Sequence, residues 1–393
     1  MRVIVIGAGA VGAASALALA EAGAEVVVVD RVGVAGETSS RCEGNILVSD
    51  KGPGAEAELA IVANRAWRSL AERLDDERGP GRPATEFEAK GGIVVAFPGG
   101  EGALADFAGT QRGIGIRAVE LDAPELRSLE PHLSHEIGSG IHYPDDAQVQ
   151  PSLATQAMLA RAVRLGAQLR IAEVTGARYA RGRSGGASGR IVGIETNAGP
   201  IEADAVVNCA GPWAGEVAAL LGTRLDIRPR RGMILVTVPM PQRVFHKVYD
   251  ADYVGAVGSA DAALQTSTVV ESTPAGTVLI GSSRERVGFS DALALPALAG
   301  IAAKATRLFP FLADTMVLRS YHGFRPYAPD HLPAIGADGG IDGLFHAAGH
   351  EGAGIGLAPT TGELVAHAVL GTPAPLDPTP FLPTRAALRE EAA

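Results

Sequence analysis

Gly7, Gly9 and Gly12 stand at the spacing G-x-G-x-x-G between the apolar run Arg2–Ile6 and an Ala/Leu-rich stretch, and a second apolar run ends in Asp30. Glycines so placed allow close approach to phosphate. The first permits a tight turn, the second lets the backbone near a pyrophosphate, and the third lets the following helix pack against its strand. Ala10 and Val11 fall in the first turn of that helix, where unpaired N–H groups attract anions. Asp30 lies 18 residues beyond Gly12, near the ~20 expected of an acid that binds adenosine ribose hydroxyls, and Arg31 follows it. The pattern specifies an adenine dinucleotide and leaves NAD and FAD both open.

Three further stretches carry polar or glycine-rich chemistry. Residues 36–50 form a polar loop containing Ser39-Ser-Arg-Cys-Glu-Gly-Asn45. Residues 207–213, Val-Asn-Cys-Ala-Gly-Pro-Trp, follow a buried strand, and their glycine lets a backbone approach closely. Residues 323–336 contain Arg325, Asp330 and Gly336, and residues 349–361 form a glycine loop. That loop leads into a helix expected from about Thr360 to Leu370, with Pro359 in its opening region and Thr360 and Thr361 available for capping. A helix start of this kind stabilises negative charge, which a reduced flavin gathers at its N1–C2=O edge.

Together these four motifs, running in order from Gly7 to Gly362, resemble the D-amino-acid oxidase/glycine oxidase superfamily of FAD enzymes. Within it, the Ser39–Asn45 loop and the segment Tyr249–Gly288 look most like the flavin subunits of bacterial D-hydroxyproline dehydrogenase and opine oxidase. The resemblance implies an α/β fold: a Rossmann-like FAD-binding domain of the glutathione-reductase type, interleaved with an α+β antiparallel-sheet substrate domain. The expected division is 1–85 with 150–225 and 320–371 for FAD, 86–149 with 226–319 for substrate, and 372–393 as a tail.

The resemblance also implies roles. Ser39, Ser40, Arg41, Glu43, Gly44 and Asn45 would lie along the pyrophosphate and flavin. Val174 would flank the adenosine half, and Ala210, Gly211 and Trp213 would back the cofactor. Gly349, His350, Glu351, Gly352, Ala353, Gly354 and Ile355 would cradle the pyrimidine edge of the flavin. Arg325 would grip a substrate carboxylate, for which a planar guanidinium fork is suited; the competing role is a surface ion pair with Asp330 or another acid. Tyr249 and Tyr253 are expected to shape the pocket, whereas His322 and His350 read as structural. Glu351 adds charge to an anion-stabilising loop, and binding a substrate amine, a neighbouring subunit or water are all open to it. Family members that hold flavin covalently use a late cysteine or an early histidine. No cysteine follows Cys209 and residues 31–50 contain no histidine, so noncovalent FAD is expected.

The surrounding elements must position these groups. Helices are expected at 55–74, Leu121–Leu133 (with Asp122 as N-cap and Pro124 in its first turn), Leu153–Leu165 and Ala292–Phe309. Strands are expected around Ile93–Phe97, Gln168–Val174, Ile191–Thr196 and Ala203–Asn208, with more between 226 and 290. Gly138–Gln150 reads as a turn-rich return, Arg181–Arg190 as a hairpin tip or mobile loop, and the proline-rich tail from Thr372 as extended on the surface. Nucleotide-type segments alternate with strand-rich ones and return at the end, which fits a discontinuous two-domain architecture.

Composition narrows the function. The 393 residues carry a net charge of −10 and have lysine at positions 51, 90, 247 and 304 alone, so a nucleic-acid partner is not expected. Cys42 and Cys209 are expected to be free thiols in a cytoplasmic protein, and no spacing suggests a metal. No apolar run is long enough to span a bilayer. The expected reaction is FAD-dependent oxidation of an amino acid or secondary amine (a D-amino acid, glycine-type or proline/hydroxyproline-type substrate) by hydride transfer from Cα to flavin N5, giving an imine. Two alternatives keep FAD: a flavin subunit that passes electrons to a partner protein, or a catalytically silent FAD-binding subunit. An NAD(P)-dependent dehydrogenase explains Gly7–Asp30 but not the glycine loop at 349.

Overall fold

The computed structural model describes all residues except 79–83, 181–188, 253–254, 256–258, 260 and 390–393. Near-continuous Val/Ile runs make strands buried on both faces. Arg2–Ile6 pairs in parallel with Glu25–Asp30 on one side and Ala205–Asn208 on the other. Gln168–Ile171, Leu344–Ala348 and Ala334–Ala337 complete a six-stranded sheet, the last antiparallel to its neighbour. Val3, Val5 and Val26 enter a core with the helices Ala10–Glu21, Ala55–Arg78, Pro151–Arg164 and Gly354–Leu370. Ile4, Ile6 and Val27 on the opposite face pack against the three-stranded sheet Val174–Tyr179, Ile191–Thr196 and Ile201–Glu202. Helix Gly354–Leu370 approaches helix Ala10–Glu21 so closely that a Cβ on Gly362 would strike the backbone of Ala14.

The second large sheet has eight strands, from Val317–Tyr327 at one edge through Arg228–Thr237, Val278–Arg284, Gln265–Ser272, Lys247–Asp250, Gly92–Val95 and Gly140–Tyr143 to Val119–Leu121. Helix Leu295–Leu308 covers one face of it, through Ala297, Ile301, Ala305 and Leu308. The edge strand Val317–Tyr327 runs across position 320 as one element.

Several expectations change in the structure. The helix expected from Thr360 begins at Gly354, so Pro359, Thr360 and Thr361 are buried inside it and are not caps. Its opening turns are glycine and alanine rich, and close packing rather than a polar cap fixes the start. Gln168–Val174 divides: Gln168–Ile171 ends the first sheet, and Val174 opens another strand. The turn-rich 138–150 region holds two short strands, Gly140–Tyr143 and Ala147–Gln148. The tail is anchored rather than extended. Phe381 and Leu388 are fully buried, Arg385 pairs with Asp330 at 2.7 Å, and Arg389 pairs with Asp338 at 2.8 Å. Most of the hairpin tip at 181–190 lies outside the described residues. Asp122 caps helix Ala123–Leu129 as expected, accepting from Glu125 N at 2.9 Å in a reciprocal capping box.

Candidate functional site

Two adjoining cavities of about 980 and 920 Å³ share Gly9, Thr38, Ser39, Cys209, Gly211 and Pro212 in their walls. They form one elongated site along the glycine turn, with an inner part against the eight-stranded sheet and an outer part at Asp30.

The outer part fits the adenosine end of a dinucleotide. Gly7 has φ +110°, a conformation that favours glycine. A Cβ on Gly7 would strike the Cys209 carbonyl, and one on Gly12 would strike the Gly7 carbonyl. Helix Ala10–Glu21 starts without a side-chain cap at Gly9, while Ser39 Oγ accepts from Ala10 N at 2.9 Å. The Asp30 carboxylate accepts from Ala8 N (2.8 Å), Val32 N (2.8 Å) and Gly33 N (2.7 Å), and so ties the turn to the next loop. Gly7, Asp30, Arg31, Val174, Ala210, Gly211 and Trp213 all line this part. The Arg31 guanidinium lies 4.3 Å over Trp213, which stacks on Phe289 at 4.9 Å.

The inner part draws its walls from three places. Ala10, Val11, Arg41, Glu43, Gly44 and Asn45 come from the first turn and the polar loop. Gly232, Ile234, Gly323 and Arg325 come from the eight-stranded sheet, and His350, Glu351, Gly352, Gly354 and Ile355 from the late loop. Two glycines make room on the sheet for charged groups, the Arg325 guanidinium over Gly232 and the Glu43 carboxylate over Gly281, and Gly323 lies beneath the Cβ and carbonyl of Arg41. Arg325 Nη1 donates to Ser283 O at 2.8 Å. The alternative partner considered for it, Asp330, is held by Arg385.

Glu351 is an anchor within the loop. It adopts φ +45° and pairs with Arg230 Nη1 at 3.2 Å and His331 Nδ1 at 2.8 Å. That hydrogen bond raises the His331 pKa. Arg230 is buried against Tyr327, 5.7 Å from the ring, and burial lowers its pKa. His350 shares a 3.0 Å hydrogen bond with Thr361 Oγ1, and burial pushes its pKa down to about 3, so it is neutral. Helix Gly354–Leu370 points its N-terminal turn at the cavity through Gly354 and Ile355.

Other expected site residues lie elsewhere. Tyr249 is fully buried in the core and bonded through its hydroxyl to Ser49; it lines neither cavity. Its strand register points it away from the site. Tyr253 lies outside the described residues. Ser40 bonds to Glu37 O, Gly349 packs behind the wall against Ile227 and Ala328, and Ala353 lines a smaller neighbouring recess. Gly12 serves packing beneath the turn rather than the cavity surface.

A buried charge cluster with no local sequence motif adjoins Asn45 of the inner cavity. Lys247 pairs with Glu271 at 3.1 Å and also donates to Asn45 Oδ1. Burial raises the Glu271 pKa. A lone Lys or Glu within an apolar strand, as in His246-Lys-Val-Tyr249 or Thr268-Val-Val-Glu271, was the available signal. Among the described residues no cluster of metal-ligating side chains occurs, and no helix is long and apolar enough to cross a membrane.

The residues fit a bound adenine dinucleotide, and comparison with known proteins specifies which. Residues 2–368 match the family described as DAO, FAD dependent oxidoreductase. The hydrogen cyanide synthase subunit HcnC of Pseudomonas aeruginosa is 32% identical over 268 residues, 67% of this chain; the match spans 59% of HcnC. Glycine oxidase of the same organism is 30% identical over 389 residues, covering 97% of this chain and 98% of that one. The crystal structure of glycine oxidase from Geobacillus kaustophilus superimposes with a TM-score of 0.85 at 26% identity, covering 98% of this chain and 99% of the other.

Proposed function

The chain belongs to the DAO family of FAD-dependent oxidoreductases, and from that premise we propose that it oxidises an α-amino acid or a secondary amino acid at its CH–NH bond. The observation that carries this reading is Arg325. Its guanidinium lies in the inner cavity, braced against Ser283 O, beside the wall formed by Gly352 and Gly354.

In this reading the glycine turn, Ser39 and Asp30 hold the adenosine and pyrophosphate of FAD. Asn45, His350, Gly352 and Gly354 would surround its ring. FAD, when bound, would supply the acceptor for the hydride that leaves the substrate's Cα. The chain contributes binding and orientation: Arg325 forks onto the carboxylate and fixes where the Cα–H points. The N-terminal turn of helix Gly354–Leu370 presents N–H groups to negative charge on the ring. His350, neutral through burial, contributes no charge there, so this stabilisation falls to the helix turn. We assign the FAD domain to 1–85, 150–225 and 328–371 and the substrate domain to 86–149 and 226–327, since strand Val317–Tyr327 belongs whole to the eight-stranded sheet. The free thiols of Cys42 and Cys209 support a reducing, cytoplasmic location.

A second reading has the same chemistry performed by one subunit of a larger enzyme. It draws support from the likeness to HcnC, itself named as a subunit. It also draws support from the edge of the eight-stranded sheet, where Met316, Val317 and Leu318 are 71%, 51% and 57% exposed. Consecutive apolar residues on an open edge are suited to a partner chain.

The test is the anaerobic visible spectrum of the purified protein, before and after glycine, D-amino acids, N-methyl amino acids, and proline and hydroxyproline isomers. Bleaching of a yellow protein by one of them supports the proposal. Admission of air then separates an oxidase from a subunit that needs an acceptor. A yellow protein that none of them bleaches, alone or with an added artificial electron acceptor, counts against it.

A further inference from the structure

Glu43 presents a charge that the fold does not neutralise. It is 6% exposed and lines the inner cavity. Its Oε2 accepts from Asn45 Nδ2 at 3.1 Å, and its Oε1 has no partner. The nearby Lys247 is matched by Glu271, and no cation forms an ion pair with Glu43 among the described residues. A buried carboxylate oxygen left unsatisfied forfeits its hydration without replacement, so a fold that keeps one at a cavity wall has a use for it.

Its position relative to Arg325 gives that use. Strand Val278–Arg284 carries both groups: Arg325 Nη1 donates to Ser283 O at 2.8 Å, and the Glu43 carboxylate covers Gly281, two residues earlier. At the rise of a strand these two places are roughly 7 Å apart. One wall of the cavity thus carries a cation and an anion at a separation that a small α-amino acid can bridge, with its carboxylate on one and its amino group on the other.

We propose that Glu43 Oε1 receives the substrate's amino group, so that the inner cavity selects zwitterionic amino acids, with Arg325 at one end and Glu43 at the other, over carboxylates that lack the amine. This rests on the amino-acid reading of the site and adds to it the group that recognises nitrogen. An amine-free carboxylate satisfies Arg325 and leaves Oε1 bare, and a site with an unmet polar group discriminates strongly against such a ligand.

The test compares matched pairs on the FAD-loaded protein under anaerobic conditions: glycine with acetate, and proline with cyclopentanecarboxylate. Dissociation constants come from perturbation of the flavin spectrum and, independently, from ligand-induced thermal shifts. In the wild type the amine-bearing member of at least one pair should bind tenfold or more tightly than its partner. Glu43→Gln should reduce that preference to within about threefold while leaving the carboxylate's affinity unchanged. Arg325→Ala should weaken both members. Should the Gln variant fail to load FAD, Glu43→Asp decides, because withdrawing the carboxylate by one methylene should reduce the preference several-fold. Equal binding of both members by the wild type, or a preference untouched by either Glu43 variant, overturns the proposal. If an amine still bleaches the flavin in that case, the amino-acid reading stands and only the role of Glu43 falls. If no amine bleaches it, both fall.

Discussion

Arg325 and Gly232 share one place on the eight-stranded sheet: the guanidinium fills the volume that a Cβ on Gly232 would take. The strand pairing that sets Gly323 opposite Gly232 and Arg325 opposite Arg230 brings them together. The missing side chain is thus what lets the arginine lie flat against the sheet and reach Ser283 O.

Gly232→Ala should therefore disturb the clamp without touching the substrate itself. The guanidinium must shift by an ångström or more, a displacement that can lower catalytic efficiency on the order of 100-fold. Flavin content should stay near that of the wild type. Steady-state kinetics on protein of matched flavin content checks this, and unchanged kcat/KM would show that the guanidinium has slack.

Arg325→Ala removes the clamp outright. Hydrogen bonds to a charged group contribute about 1.5–3 kcal/mol each, so kcat/KM for the amino acid should fall by roughly 10- to 150-fold or more, with FAD still bound. Turnover of the identified substrate at the wild-type rate would remove Arg325 from the site.

Gly12→Ala acts one layer below the cavity. The added methyl strikes the Gly7 carbonyl, and relief requires moving either the turn or helix Ala10–Glu21. Overpacking of this kind costs about 1–3 kcal/mol. Flavin content after purification and the thermal midpoint should both fall, and a variant that loads FAD like the wild type would contradict the packing role.

Tyr249→Phe should affect stability rather than catalysis. It removes the hydroxyl bonded to Ser49, worth roughly 1 kcal/mol. The midpoint should drop by about 1 °C while the kinetic constants of FAD-loaded protein stay unchanged. A loss of turnover at full flavin content would return Tyr249 to the list of catalytic groups.

The His331–Glu351 pair sets a pH dependence. Its hydrogen bond raises the His331 pKa above the ordinary 6.5, so the folded state binds the proton more tightly than the unfolded one. The stabilisation is present in full below pH 6.5 and disappears as pH rises through the raised value. The midpoint difference between wild type and His331→Gln should accordingly shrink on the alkaline side. A difference constant from pH 5.5 to 9 would exclude the pair as its source.

What was legible in the chain depended on distance along it. The turn from Gly7 to Asp30 could be read because its strand, helix and acid are sequence neighbours that fold against one another. The place of Arg325 on the cavity wall could be read because its whole motif is local. Tyr249 was misplaced because a strand's two faces are distinguished only by register. Tyr249 faces one core and Val248 the other, and a one-residue shift exchanges them. The helix from Gly354 was read as starting late because Pro359 resembles a first-turn proline, whereas here it lies inside the helix. The place of Glu43 over Gly281 joins segments far apart in sequence, and no local pattern carries it.

The order of strands in the six-stranded sheet also governs when the protein can come into being. Arg2–Ile6 lies between Glu25–Asp30 and Ala205–Asn208, and the latter needs Leu344–Ala348 on its far side. Helix Gly354–Leu370 then closes over helix Ala10–Glu21. During synthesis the first glycine turn leaves the ribosome long before the strands and helix that enclose it. The nascent chain must keep that apolar βαβ unit from associating with other chains until Leu344–Ala348 and Gly354–Leu370 have been made, and pairings so distant in sequence form slowly. Expression of this protein should therefore respond more to chaperone supply and growth temperature than to the stability of the finished fold.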